Sequence, residues 1–232
     1  MNSSYWIVIP IIIVADTLIM MDNSRLILNA QKAENFLRAK VAIIGKNCKI
    51  EGKGQDGLRG KTGKAGSSHT GPCRDGLPAE NGSDGQPGDD GVGLYFYVEN
   101  LKVDGKLVID LSGGNGGEGG TGGRGGDGNP GTLHCNGGNG TNGGIGGRGG
   151  NGGNSGNLLL STPILGKAQE WMETMIIYDR KGGEGGRGGK GGYPGLKGLG
   201  PSNNNGKEGN PGVSGEPGEQ GKIGSLTFEM NR

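Results

Sequence analysis

Glycine recurs at every third residue, or at two residues of every three, over more than half of this chain. Gly54, Gly57, Gly60, Gly63 and Gly66 keep strict period three. The period resumes at Gly76 and runs through Gly82, Gly85, Gly88 and Gly91, with Ala79 in one glycine slot. Paired glycines fill 113–131, as in "GGNGGEGGTGGRGG", and 137–153, and begin the block 182–198; single-glycine triplets close the series at 206–224. Such tracts cannot bury an oily interior. A bare position every third residue does let neighbouring main chains approach and exchange N–H···O=C bonds. Extended polyproline-II-like geometry, with about 3 residues per turn and a rise of about 3.1 Å, would keep the bare positions on one edge. Paired-glycine segments (113–131, 137–153, 182–192) are bare on two sides and are expected at the centre. Single-glycine segments (54–66, 76–91, 206–224) are expected at the periphery, where Pro78, Pro87, Pro211 and Pro217 are tolerated. A collagen triple helix is disfavoured, because paired-glycine triplets lack imino acids and the period breaks at each turn.

Glycine gives up more backbone entropy on folding than any other residue. Each hydrogen bond between segments returns only about 1 kcal/mol net. The segments therefore need anchoring. The stretches between them are candidates, because there the composition changes. "LYFYVENLKVDGKLVIDL" (94–111) alternates apolar and polar residues about an Asp104-Gly105 turn and reads as a hairpin-like strand pair. Residues 25–50 and 157–180 follow the same plan, the latter with room for a short helical turn at Gln169–Glu173. "SLTFEM" (225–230) reads as one closing strand. The expected organisation is an N-terminal apolar strand and first β unit (1–51), glycine pair one (52–93), β unit two (94–111), glycine pair two (112–156), β unit three (157–181), glycine pair three (182–224) and a closing strand (225–232). The expected fold is all-β or irregular: a small sandwich or solenoid-like β base carrying a projecting bundle of six antiparallel polyglycine-II helices.

The runs "GGNGGEGGTGGRGG" and "GGIGGRGGNGGNSG", joined by short turns, resemble the polyglycine-II bundles of the tip adhesins of certain phage long tail fibres and of springtail glycine-rich antifreeze proteins. The resemblance lies in the glycine pattern and does not extend to the β segments. It implies a glycine bundle; function does not travel with a fold.

Three cysteines leave at least one thiol unpaired. His69 and Cys73 fall in the first turn, His134 and Cys135 in the second. If the hairpins stack side by side these turns meet at the distal tip. A Cys73–Cys135 disulfide, a Cys₂His₂ metal site and free thiols are all open; adjacent His134 and Cys135 chelate one ion awkwardly, so no metal is assigned. Cys48 sits in a strand-like stretch and reads as a buried free thiol. Arg124, Arg148 and Arg187 each precede two glycines, as in RNA-binding tracts. Yet Glu118, Asp127 and Glu184 occupy the same triplet position and aromatics are scarce, so these residues read as outward-facing fillers. The G-x-G-x-x-G at 52–57 has no helix after it, and the sequons at Asn81 and Asn139 are expected by chance in this composition. No nucleophile–base pair or carboxylate pair stands out, so neither enzyme activity nor a cofactor is expected.

"SYWIVIPIIIVADTLIMMDN" is the most apolar stretch. No basic residue precedes it and no A-x-A site follows, against a cleaved signal peptide. Asp16 ends the run short of the ~20 residues that span a bilayer. Each β unit supplies two strands and the last supplies one, so one strand slot is open. The segment either fills it within the chain or inserts into the next subunit. The expected function is a structural subunit of an extracellular or surface fibre, cell or virion, assembling head to tail through Trp6, Ile7, Val8, Ile9, Ile11, Ile12 and Ile13. The alternative is a receptor-binding tip using the distal turns (His69, His134, Asn203, Asn204), docked to a fibre shaft; an antifreeze role is a weaker third. A net charge of +1 gives no case for a nucleic-acid partner.

Overall fold

The computed structural model describes residues 6–8, 12–164 and 166–230, and of Trp6–Val8 only the strand pairing. Its strands are β1 (Trp6–Val8), β2 (Ile12–Met20), β3 (Arg25–Ile27), β4 (Glu34–Ile44), β5 (Cys48–Glu51), β6 (Gly93–Val103), β7 (Leu107–Asp110), β8 (Leu158–Thr162), β9 (Ile176–Asp179) and β10 (Leu226–Met230); one helix, α1 (Lys167–Thr174), lies between β8 and β9. The strands alternate between two five-stranded sheets, β1-β3-β5-β7-β9 and β10-β8-β6-β4-β2. Every pairing is parallel.

This corrects the expected fold. The regular elements form a parallel-strand, α/β-like arrangement of two sheets and one helix, and no bundle of six polyglycine-II helices is among them. The 94–111 hairpin is corrected too. The turn at Asp104-Gly105, where Gly105 takes φ +103°, carries the chain from one sheet to the other, so β6 and β7 never pair. Alternation of apolar and polar residues reports that one face is buried; it does not report which strand lies alongside.

The inward columns of both sheets interlock into one core. Leu26, Ile50 and Ile109 come from neighbouring strands of one sheet, and Leu37, Phe96 and Leu160 from the other. Trp171 and Ala168 of α1 close the side of this core. Cys48 is buried and free, its thiol donating to the Met21 carbonyl at 3.0 Å.

Each circuit runs from a strand of the β10–β2 sheet to a strand of the β1–β9 sheet and back, the outward step being a short turn except between β8 and β9, where it holds α1. In the first circuit the return is short, 28–33 between β3 and β4. In the last three it is a glycine excursion: 52–92, 111–157 and 180–225. Apart from one 3-10 turn at Pro201–Asn203, these tracts carry neither helix nor strand. They are extended main chain, bonded sideways at intervals of three residues. Outgoing tracts share one direction: Gly57, Gly60 and Gly63 donate to the carbonyls of Asn115, Glu118 and Thr121, and Gly116, Gly119 and Gly122 to those of Glu184, Arg187 and Lys190. Returning tracts form a second row in the same way, and the rows are cross-bonded, as where Gly147 donates to Gly120 at 2.8 Å.

The paired-glycine tracts 113–131 and 137–153 each bond to four neighbouring tracts. The single-glycine tract 76–91 bonds to three, more than a peripheral place requires. Bareness is needed on only one side of a contact. A Cβ on Gly144, Gly147, Gly150 or Gly153 would lie 1.9–2.1 Å from the carbonyl oxygens of Glu80, Ser83, Gln86 and Asp89, so the paired-glycine partner supplies the room.

Candidate functional site

Three features are exposed and built from specific residues: the sheet edges, the distal turns, and the rows of side chains along the glycine tracts.

β2 forms one edge of its sheet and β10 the other; β1 and β9 are the edges of the second sheet. Of the expected interface residues, Trp6, Ile7 and Val8 pair with Arg25, Leu26 and Ile27 of the same chain, and Ile12 and Ile13 with Phe36 and Leu37. Ile9 and Ile11 lie outside the described residues. β1 and β2 are thus seated on their own chain in this structure. Among the described residues the outer side of β2 has no strand partner: Ile12 is 61% and Val14 70% exposed. At the far edge Phe228 is 42% exposed. Adjacent β-strand cross-sections are stacked in register, and Phe36 lies on Tyr95 with centroids 4.5 Å apart.

At the distal end Cys73 and Cys135 are joined by a disulfide, Cα–Cα 6.0 Å, tying the first turn to the second. The Cys73 N–H donates to Pro130 O at 2.8 Å, and the Asn129 carboxamide donates to the His69 and Gly71 carbonyls. Gly137 N–H donates to Asn204 O at 2.9 Å, which ties the second turn to the third. His69, His134, Asn203 and Asn204 are all exposed on this surface, beside Leu133 at 89%. Among the described residues no group of three or more His, Cys, Asp or Glu is arranged to hold a metal.

The third feature is repeated main-chain recognition by Asn and Asp. Asn81 Oδ1 accepts the Ile145 N–H at 2.8 Å, while the next residue, Gly82, donates its N–H to the Ile145 carbonyl at 2.8 Å. One residue of the neighbouring tract is therefore held at both its backbone groups. The same two-point clamp joins Asp84-Gly85 to Arg148, Asn115-Gly116 to Glu184, Asn139-Gly140 to Lys207, Asn142-Gly143 to Asn210 and Asn151-Gly152 to Glu219. It explains why short acceptors recur in the third triplet position. That residue's N–H has no carbonyl to meet, and a carboxamide or carboxylate from the neighbouring tract satisfies it. The signal in the sequence is Asn or Asp directly before glycine; the partner, 59 to 69 residues away, is not readable there.

A small charged cluster sits where the tracts leave the sheets. Lys49 Nζ lies 2.8 Å from Asp110 and 3.4 Å from Glu51, which also pairs with Arg25. Burial pushes the Asp110 carboxyl up, but hydrogen bonds from Lys49 and Ser112 outweigh it and hold the group below its ordinary value. Burial pushes the Tyr178 phenol up to about 12, and its hydroxyl donates to Gly156 O at 2.7 Å. An open groove of about 690 Å³ follows the same junction, lined by polar groups including Glu34, Gln55, Asp90 and Asn157.

No family model matches this chain, and no curated protein matches it. Among solved structures it is similar to a nine polyproline type II helical bundle springtail antifreeze protein from Granisotoma rainieri, at 20% identity, covering 70% of this chain and 94% of that one. The TM-score is 0.11, too low to support a shared fold or function. Among the described residues no helix is long and apolar enough to cross a membrane.

Proposed function

We propose that this protein is a structural, self-associating subunit of an extracellular or surface fibre that grows head to tail through the open edges of its two sheets. The observation that supports this reading is that both sheets are parallel and that, among the described residues, the strands at both sides of each have no outer partner, with exposed apolar residues on β2 and β10. Unpaired edges template the addition of further strands, and this chain places no lysine or proline on β2 or β10 to prevent it. A copy added in the same orientation continues both sheets at once. The existing register then sets Phe228 beside Ile13 and Ile177 beside Trp6 of the next copy. The contact is heterologous and does not close, so it yields a filament. Five strands per sheet give an axial rise of about 24 Å per copy. The circuit through β2 and β3 has no glycine excursion, so the glycine arrays of successive copies are set apart as lateral projections. The reading needs no catalysis and no cofactor.

The test is electron microscopy and sedimentation of the full chain beside the variant Ile12→Lys/Val14→Lys. Both side chains are exposed, so the fold is expected to survive while edge charge blocks addition. Threads with the stated rise in the wild type, and monomers in the variant, support the reading. A wild type that stays monomeric at high concentration overturns it.

A second reading, a tip adhesin, is favoured by one observation: Leu133 stands 89% exposed on a turn pinned by the disulfide. Substitutions in 132–136 that abolish surface attachment without touching assembly would select it.

A further inference from the structure

We infer that Asn136 is a site of spontaneous deamidation, and that the clamps along the glycine tracts protect the other Asn-Gly dipeptides from the same reaction. In this reaction the glycine backbone nitrogen loses its proton and attacks the Asn Cγ. The side-chain nitrogen leaves as ammonia and a five-membered succinimide forms. Water then opens the ring at either carbonyl, giving aspartate or isoaspartate. Glycine is the residue after Asn that hinders the attack least, and the chain carries seven such dipeptides, at Asn81, Asn115, Asn136, Asn139, Asn142, Asn151 and Asn205.

Ring closure requires the Asn side chain to swing onto the following nitrogen. Six of the seven are held against that motion at both reacting ends, five of them by the clamp. The carboxamide oxygens of Asn81, Asn115, Asn139, Asn142 and Asn151 accept backbone N–H groups at 2.7–3.0 Å. The nitrogens of Gly82, Gly116, Gly140, Gly143 and Gly152 donate to the carbonyls of the same partner residues at 2.8–2.9 Å. Asn205 is held at its oxygen by Gly200 N–H and at Gly206 by Gly198 O. Asn136 differs. It is exposed in the second turn, its carboxamide has no partner among the described residues, and only Gly137 N–H is engaged, by Asn204 O.

The protection matters for the array. Aspartate can serve as the clamp acceptor, as Asp84 and Asp127 do toward Arg148 and Leu196. Isoaspartate adds a carbon to the main chain, and one such insertion takes every later glycine of the tract out of register with its neighbours. At Asn136, in a turn, the same change leaves the tract registers intact.

The intact, disulfide-bonded protein is incubated at mildly alkaline pH, and deamidation at each dipeptide is followed by peptide mapping with mass spectrometry. Each net hydrogen bond lost on reaching the ring-closing geometry slows the reaction by roughly fivefold. Asn136 is therefore expected to convert fastest, at least roughly fivefold ahead of the clamped five. In denaturant the differences should collapse. The variant Ile145→Pro replaces the N–H that holds Asn81 with a ring methylene that displaces the carboxamide, and should accelerate Asn81 above the other four, which serve as internal controls of folding. Clamped sites converting as fast as Asn136 in the native protein, or a native Asn136 as inert as they are, would overturn the inference.

Discussion

Replacing Gly147 with alanine tests whether the glycine array is a packed structure or merely a tolerated one. At an ordinary site Gly→Ala stabilises by about 0.4–1 kcal/mol, because it narrows the unfolded ensemble. Here a Cβ would meet the Ser83 carbonyl oxygen at 2.0 Å and its carbon at 2.4 Å, both main-chain atoms that no rotamer change can move. Relief requires the tracts 137–153 and 76–91 to separate locally. That motion breaks the bonds flanking the contact: Gly82 to Ile145 O, Gly85 to Arg148 O, Ile145 N–H to Asn81 and Arg148 N–H to Asp84. Four bonds at about 1 kcal/mol each, less the unfolded-state gain, leave a net loss of about 3 kcal/mol. For a chain of this size each kcal/mol lowers Tm by about 2–4 °C, so a drop of roughly 6–12 °C is expected. Thermal and urea denaturation give the readout, with the neighbouring exposed Arg148→Ala as control, expected within about 0.5 kcal/mol of wild type. An unchanged or raised Tm in G147A would mean that these tracts are not in contact, and the account of the array would fail with it.

Reducing the Cys73–Cys135 bridge, or making Cys73→Ser/Cys135→Ser, opens a loop of sequence separation 62 and is expected to cost about 4 kcal/mol by the chain-entropy relation; urea unfolding of both forms checks it, and exchange should rise first in 67–75 and 132–136. Tyr178 has a phenol pKa raised to about 12 from 10, so the stability it contributes is complete below pH 10 and is lost as pH rises toward 12. Tyr178→Phe should flatten the decline of Tm across that window. Asp110 is depressed below its ordinary 3.8, so its contribution is complete above that value and is lost as pH falls through the lower, folded value. In Asp110→Asn the acid-side fall in Tm should be shallower, and an identical acid limb would remove the role given to the Lys49–Asp110 pair.

What the sequence by itself determined is where main chains can touch. The slots at Gly57, Gly60 and Gly63, and the paired slots of 113–131 and 137–153, are the positions at which the structure brings backbones together, because only an absent Cβ permits that approach. The apolar runs of 94–111 and 157–180 likewise mark chain with a buried face, and the short helix Lys167–Thr174 contains the expected turn at Gln169–Glu173. What only the tertiary structure decided is partnership. Leu107 pairs with Cys48 and Ile176, never with a residue of β6, because parallel pairing joins strands one whole circuit apart and leaves no local trace. Asn81 meets Ile145, and Asp127 meets Leu196, for the same reason: the distance between partners is set by the length of an entire excursion. Period-three glycine is a local property and survives translation of one tract along another. Which tract lies beside which is fixed by the two sheets that anchor them.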